Sequence, residues 1–93
     1  MVHRMEAEWD PAKAKANLRK HGVRFADAVT ALEDASGLSV RDEGADEERW
    51  VSIGIDSLAR ILVVVYTWHD GRVRLISARP ATRRERRQYE ERI

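Results

Sequence analysis

The sequence predicts an α+β fold: two N-terminal helices, an antiparallel meander sheet of three to four strands, and a C-terminal helix. Three observations carry this. Apolar residues recur at helical spacing before residue 33, they alternate at strand spacing from Arg49 to Ala78, and Thr82-Arg83-Arg84-Glu85 has the pattern of a helix start directly after Pro80. The 93 residues amount to one domain, 1–93, with a single modest core and no internal repeat or low-complexity segment.

Met1 to Glu8 reads as a polar lead, with His3 in its tail. Asp10-Pro11 then starts a helix, because aspartate accepts a hydrogen bond from a free backbone N–H and proline suits the first turn. Alanines and late basic residues carry the helix to about Lys20, and Gly22 stands where a left-handed cap is wanted. A second helix, Phe25 to about Leu32, places Phe25, Ala28, Val29 and Leu32 on one buried stripe. Gly37 to Val40 fits a short edge strand, and Asp42 to Glu48 a polar loop centred on Gly44.

Val51, Ile53 and Ile55 alternate with smaller or polar neighbours as in a half-buried strand, and Ile61 to Tyr66 is apolar on both sides, as in a central one. Asp70-Gly71 marks a two-residue hairpin. Its register opposes His69 to Arg72, Thr67 to Arg74, Tyr66 to Leu75 and Leu62 to Arg79. On that register His69, Thr67, Arg72 and Arg74 share one face, while Tyr66, Ser77 and Arg79 occupy the other. Pro80 ends the strand by removing a ladder donor, and the Thr82–Glu85 capping box begins the last helix.

Charge is polarised along the chain. Eight arginines stand against three glutamates between Arg72 and Arg92, although the whole chain is only +1; Glu33 to Asp56 holds eight carboxylates against Arg41 and Arg49. A concentrated positive field suits phosphate or another anionic partner. Without cysteine there is no disulfide framework, thiolate nucleophile or thiolate zinc site, and a reducing cytoplasm is the expected location. The acidic stretch lacks the ligand spacing of a calcium loop, and neither a metal nor a cofactor is expected. No apolar run approaches the roughly 18–20 residues that cross a bilayer, and the N-terminus has no apolar signal core, so no membrane partner is expected.

No phosphate loop, HExxH or nucleophile elbow is present, which leaves chemistry done by arginine, histidine, tyrosine and glutamate. RNA cleavage fits that inventory, since the 2′-hydroxyl supplies the nucleophile and the protein need only align it, offset charge and move protons. Proton carriers are sought among His69, Tyr89, Glu85 and His21. For any single arginine the plainer alternative is a solvated helix face paired to Glu90 or Glu91. A different function class, a non-catalytic nucleic-acid- or partner-binding module, uses the same basic corner without chemistry.

Trp9-Asp10-Pro11, Lys13, Asn17, Lys20-His21-Gly22-Val23, Phe25, Arg49 to Gly54, Arg60 to Thr67, Arg74 to Arg79, Ala81 to Arg86 and Tyr89 together resemble the BrnT family of bacterial toxins. The resemblance covers about Trp9 to Glu91. It implies a RelE-like ribonuclease fold, RNA cleavage that halts translation, and neutralisation by a BrnA-type antitoxin, through which alone operator DNA is reached. It implies that Arg79, Arg83 and Tyr89 take catalytic roles. Joined with the residue reading, Arg79 and Arg83 hold the scissile phosphate, Tyr89 or His69 assists proton transfer, and Arg60, Arg72, Arg74, Arg84 and Arg87 contact RNA. Arg24 stands where the family usually has a small capping residue, so a weaker start is expected for the second helix.

Overall fold

The computed structural model describes residues 5–43 and 48–91. The expectations for His3, for a loop centred on Gly44 and for Arg92 fall outside them. The elements run β1 (Ala7–Glu8), α1 (Pro11–His21), α2 (Phe25–Leu32), β2 (Leu38–Asp42), β3 (Arg49–Ile55), β4 (Ile61–His69), β5 (Arg72–Pro80) and α3 (Arg83–Glu91).

The helix boundaries follow local chemistry. The Asp10 side chain accepts from the Ala12 N–H at 2.9 Å, Pro11 begins α1, and the Gly22 N–H closes it on the Leu18 carbonyl at 2.8 Å. Arg24 makes no side-chain cap bond, yet α2 forms, because Phe25, Ala28, Ala31 and Leu32 are buried and packing supplies what the cap lacks. At α3 the capping box closes in both directions: the Thr82 N–H donates to Glu85 Oε1 at 2.9 Å and the Glu85 N–H to Thr82 Oγ1 at 3.2 Å.

The sheet has five strands in the order β1-β5-β4-β3-β2, against an expected three to four. It is mixed rather than purely antiparallel, since β1 lies parallel to β5, with Ala7 opposite Val73 and Glu8 opposite Arg74. A two-residue strand is too short to show periodicity, which is why the polar lead concealed it. Around the 70–71 turn, where Asp70 and Gly71 both take positive φ (51° and 77°), His69 opposes Arg72, Thr67 opposes Arg74 and Tyr66 opposes Leu75 as expected.

Beyond Tyr66 the register shifts by one residue: Val65 opposes Ser77, and Val63 rather than Leu62 opposes Arg79. This bulge at Ile76 corrects the expected faces, because a one-residue slip in β5 reverses every side chain past it. Ser77 and Arg79 therefore share the face of Thr67, His69, Arg72 and Arg74, and not that of Tyr66. The slip lets Ala78 turn inward beside Leu62, Val64, Tyr66, Val73 and Leu75.

That inward face is covered by α1 and α2 and holds the main core, with Phe25 and Leu62 among its fully buried members. Each such side chain contributes roughly 1.5–3 kcal/mol by leaving water. Gly54 lets α2 approach β3 closely, since a Cβ there would stand 2.2 Å from the Ala31 carbonyl oxygen. The opposite face carries a smaller cluster in which α3 lays Tyr89 on Ile53 and Val63. The helices are thus divided between the two faces.

Candidate active site

Asn17, in the middle of α1, sets the position of the site. Its amide donates to the Ala78 carbonyl at 2.8 Å and the Val23 carbonyl at 3.0 Å, and its Oδ1 accepts from the Ala78 N–H at 3.0 Å. A side chain thereby takes the place of a neighbouring strand along β5, and α1 lies beside the bulge. Lys13, Asn17 and Lys20, spaced i, i+4 and i+7, face β5 as one stripe.

On the N-terminal side of the bulge is a cleft of about 350 Å³ lined by Asp10, Lys13, Thr67, Trp68, His69, Arg74, Leu75 and Ile76. His69 Nδ1 is 3.2 Å from Glu8 Oε2, and Arg74 Nε is 3.8 Å from the same oxygen. An ionised carboxylate only accepts, so the shared hydrogen belongs to Nδ1 and the Nε2 lone pair is left to act as a base. Asp70 Oδ2 lies 3.7 Å from Nε2. Four separate segments meet here: β1, the start of α1, the end of β4 and the first half of β5.

The expected arginine corner is built differently. Arg79 Nη1 and Nη2 donate to the two Glu85 carboxylate oxygens at 2.7 and 2.9 Å, a fork on fork that holds Glu85 at about 2, well below the usual carboxylate range. The same pairing raises the Arg79 pKa. Engaging a phosphate with Arg79 thus requires breaking a formed pair. The expected partners Glu90 and Glu91 do not take it; Glu85 does. Arg83, Arg84, Arg86 and Arg87 are exposed and make no ion pair among the described residues.

Tyr89 is 5% exposed and its hydroxyl donates to Asp34 Oδ2. Burial, and then the Asp34 carboxylate, push it up to about 12. Asp34 is pulled the other way: burial alone would raise it, but hydrogen bonds from the Ile55 N–H, the Tyr89 hydroxyl and the Ser36 N–H outweigh that and lower it. Arg60 is also occupied, by Asp56 Oδ2 at 2.8 and 3.0 Å and Asp27 at 3.5 Å. Arg72 lies 3.4 Å from Glu6 at the sheet edge.

The four side chains expected to act together do not meet. Arg79 opposes Val63 while His69 opposes Arg72, six residues further along β4. That is a separation of roughly 20 Å at about 3.3 Å per residue. Of the expected set, His69 and Arg74 share a cleft. Glu8, Lys13 and Thr67 complete it. Lys13 stood among the residues carrying the resemblance, but nothing in the sequence marked Glu8, which reaches the site through the parallel strand. No group of three or more histidine, cysteine, aspartate or glutamate side chains among the described residues is placed to hold a metal ion.

A family model described as "Ribonuclease toxin, BrnT, of type II toxin-antitoxin system" matches residues 9–85. Among solved structures, the 1.1 Å crystal structure of the ribonuclease toxin BrnT of Brucella abortus superposes with a TM-score of 0.68 at 29% identity, over 85% of this chain and 99% of that one. No curated protein matches.

Proposed function

Since the chain belongs to the BrnT family of ribonuclease toxins of type II toxin-antitoxin systems, we propose that it is an endoribonuclease that cleaves RNA at the His69 cleft and so inhibits translation. The observation that supports this most directly is the Glu8–His69 pair at 3.2 Å, with Arg74, Thr67 and Lys13 around the same cleft. His69 Nε2 takes the proton of a ribose 2′-hydroxyl, which attacks the adjacent phosphorus in line. The bond to the 5′ oxygen breaks, that oxygen takes up a proton from water, and a 2′,3′-cyclic phosphate remains. Glu8 holds the imidazole tautomer and steadies the imidazolium, as a positioning residue. Arg74 and Lys13 offset charge on the non-bridging oxygens.

The base and the groups that offset phosphate charge are side chains of this chain, and cleavage is expected to be metal-independent. Incubating the purified chain with single-stranded RNA in excess EDTA tests the reading. Products ending in cyclic phosphate are expected from the wild type and not from His69→Ala; RNA left intact at stoichiometric protein would overturn it.

Membership of a type II family implies an antitoxin partner, which this reading takes to be BrnA-type and to carry the complex to operator DNA. The unpaired Arg83, Arg84 and Arg87 on α3 give an acidic antitoxin segment or RNA a positive surface. No helix among the described residues is long and apolar enough to cross a membrane, and the proposed action on translation places the chain in the cytoplasm.

A further inference from the structure

The His69 cleft does not end at its own walls. Lys13 and Ile76 also line a second groove, about 290 Å³, which continues between α1 and β5 past Ala16, Asn17 and Ser77 to Lys20 and His21. Ala16 and Ser77 are the small residues of its lining, and Lys13 and Lys20 make no ion pair among the described residues. Seven residues of helix separate these lysines, about 10 Å. At the opposite end Trp68 leaves half of its surface in solvent, 52% exposed, in a T-shaped contact with Tyr66 at 6.2 Å between ring centroids. A large aromatic ring held at the mouth of a cationic cleft has a π-face to offer.

We infer that the cleft and the groove form one polarised track for single-stranded RNA, with a base stacked on Trp68 at one end and a neighbouring phosphate held by Lys20 at the other. Stacking plus backbone-tracking cations is the physics of single-strand binding, and it is indifferent to base identity. Each volume is near the lower end of a small-ligand site, roughly 300–1,000 Å³, so each is sized for about one nucleotide. The bulge at Ile76 is shared by both halves and bends the strand between them.

The inference rests on the cleft being the RNA site, but it is read by binding rather than turnover. Fluorescence anisotropy with labelled, non-cleavable 2′-O-methyl oligouridylates of two, four and six nucleotides should show affinity rising with length and falling with salt. Lys20→Ala should abolish the gain from two to four nucleotides and flatten the salt slope by about 0.7. Arg19→Ala removes the same charge from α1 outside the groove and should keep the gain. Trp68→Leu, which keeps apolar bulk but no π-face, should weaken every length by between about fivefold and a hundredfold with the slope unchanged.

Length-independent binding by the wild type, a full gain in Lys20→Ala, unchanged affinity in Trp68→Leu, or equally tight binding of blunt duplex RNA would each overturn the track. Poly-L-glutamate that binds as tightly as oligouridylate and loses affinity equally in Lys20→Ala would assign the groove to an acidic polypeptide instead. A retained length gain beside intact RNA in the cleavage assay would sink the ribonuclease reading and leave the track standing.

Discussion

The two ends of β5 invite opposite conclusions depending on whether charge is counted or paired. The C-terminal end, with α3, has most of the arginines, but Arg79 is spent on Glu85 and the rest project from an exposed helix. The N-terminal end contributes few cations of its own, yet it gathers Glu8, Lys13, Thr67, His69 and Arg74 from four segments around one cleft. Density of charge locates a field, whereas chemistry needs groups whose relative positions are fixed.

The largest effect that tests this contrast is catalytic. His69→Ala is expected to lower the rate of RNA cleavage by about 10²–10⁴-fold, the usual worth of a positioned base, with the melting temperature unchanged. Tyr89→Phe should leave the rate unchanged and cost about 1 kcal/mol of stability, for one buried hydroxyl hydrogen bond. Equal losses of activity in the two variants would return the active site to the arginine corner.

Next in size is the support of the cleft. Asn17→Ala strands both backbone groups of Ala78 and the Val23 carbonyl, and should cost about 2–4 kcal/mol, lowering the melting temperature by roughly 15 °C in a domain of this size. A shift of a degree or two in calorimetry would show that α1 is held to β5 by something else.

The Arg79–Glu85 pair should be visible as pH dependence. Glu85, at about 2 in the fold, lies below its ordinary 4.5. Its contribution is therefore complete above pH 5 and is lost as pH falls toward 2, with Asp34 acting in the same direction. Glu85→Gln should reduce that acid sensitivity and lower the melting temperature at neutral pH by a few degrees, through the weakened cap and the lost pair. Tyr89 works in the opposite window: with its pKa raised from 10 to about 12, its contribution is intact below pH 10 and fades as pH climbs toward 12. The smallest change is expected from Arg84→Ala, with stability within about 0.5 kcal/mol and a shallower salt dependence of RNA binding. A folding defect there would mean that α3 is more than a solvated face.

Much of the architecture was readable because it is local. Asp10-Pro11 with Gly22, the Asp70-Gly71 turn and the Thr82–Glu85 box each encode their own geometry within a few residues and formed as read, and the stripe from Phe25 to Leu32 formed with Ala31 fully buried and Val29 half-buried. The register was read correctly as far as Tyr66, because turn geometry fixes it near the hairpin. The slip beyond had a trace in the sequence, an inward series of Val73, Leu75 and Ala78 that breaks the two-residue period, but only packing under α1 decides where the extra residue goes.

The sequence by itself determined the helix limits, the hairpin, the polarity of charge and the chemistry left open by the absence of cysteine and phosphate-loop motifs. The tertiary structure alone decided which charges are free. A two-residue parallel strand carries Glu8 to His69 across 61 positions of chain, a bulge turns Arg79 to the face where Glu85 meets it, and one asparagine sets two lysines beside β5. Electrostatic roles depend on distances between residues remote in sequence, and no local pattern records those distances.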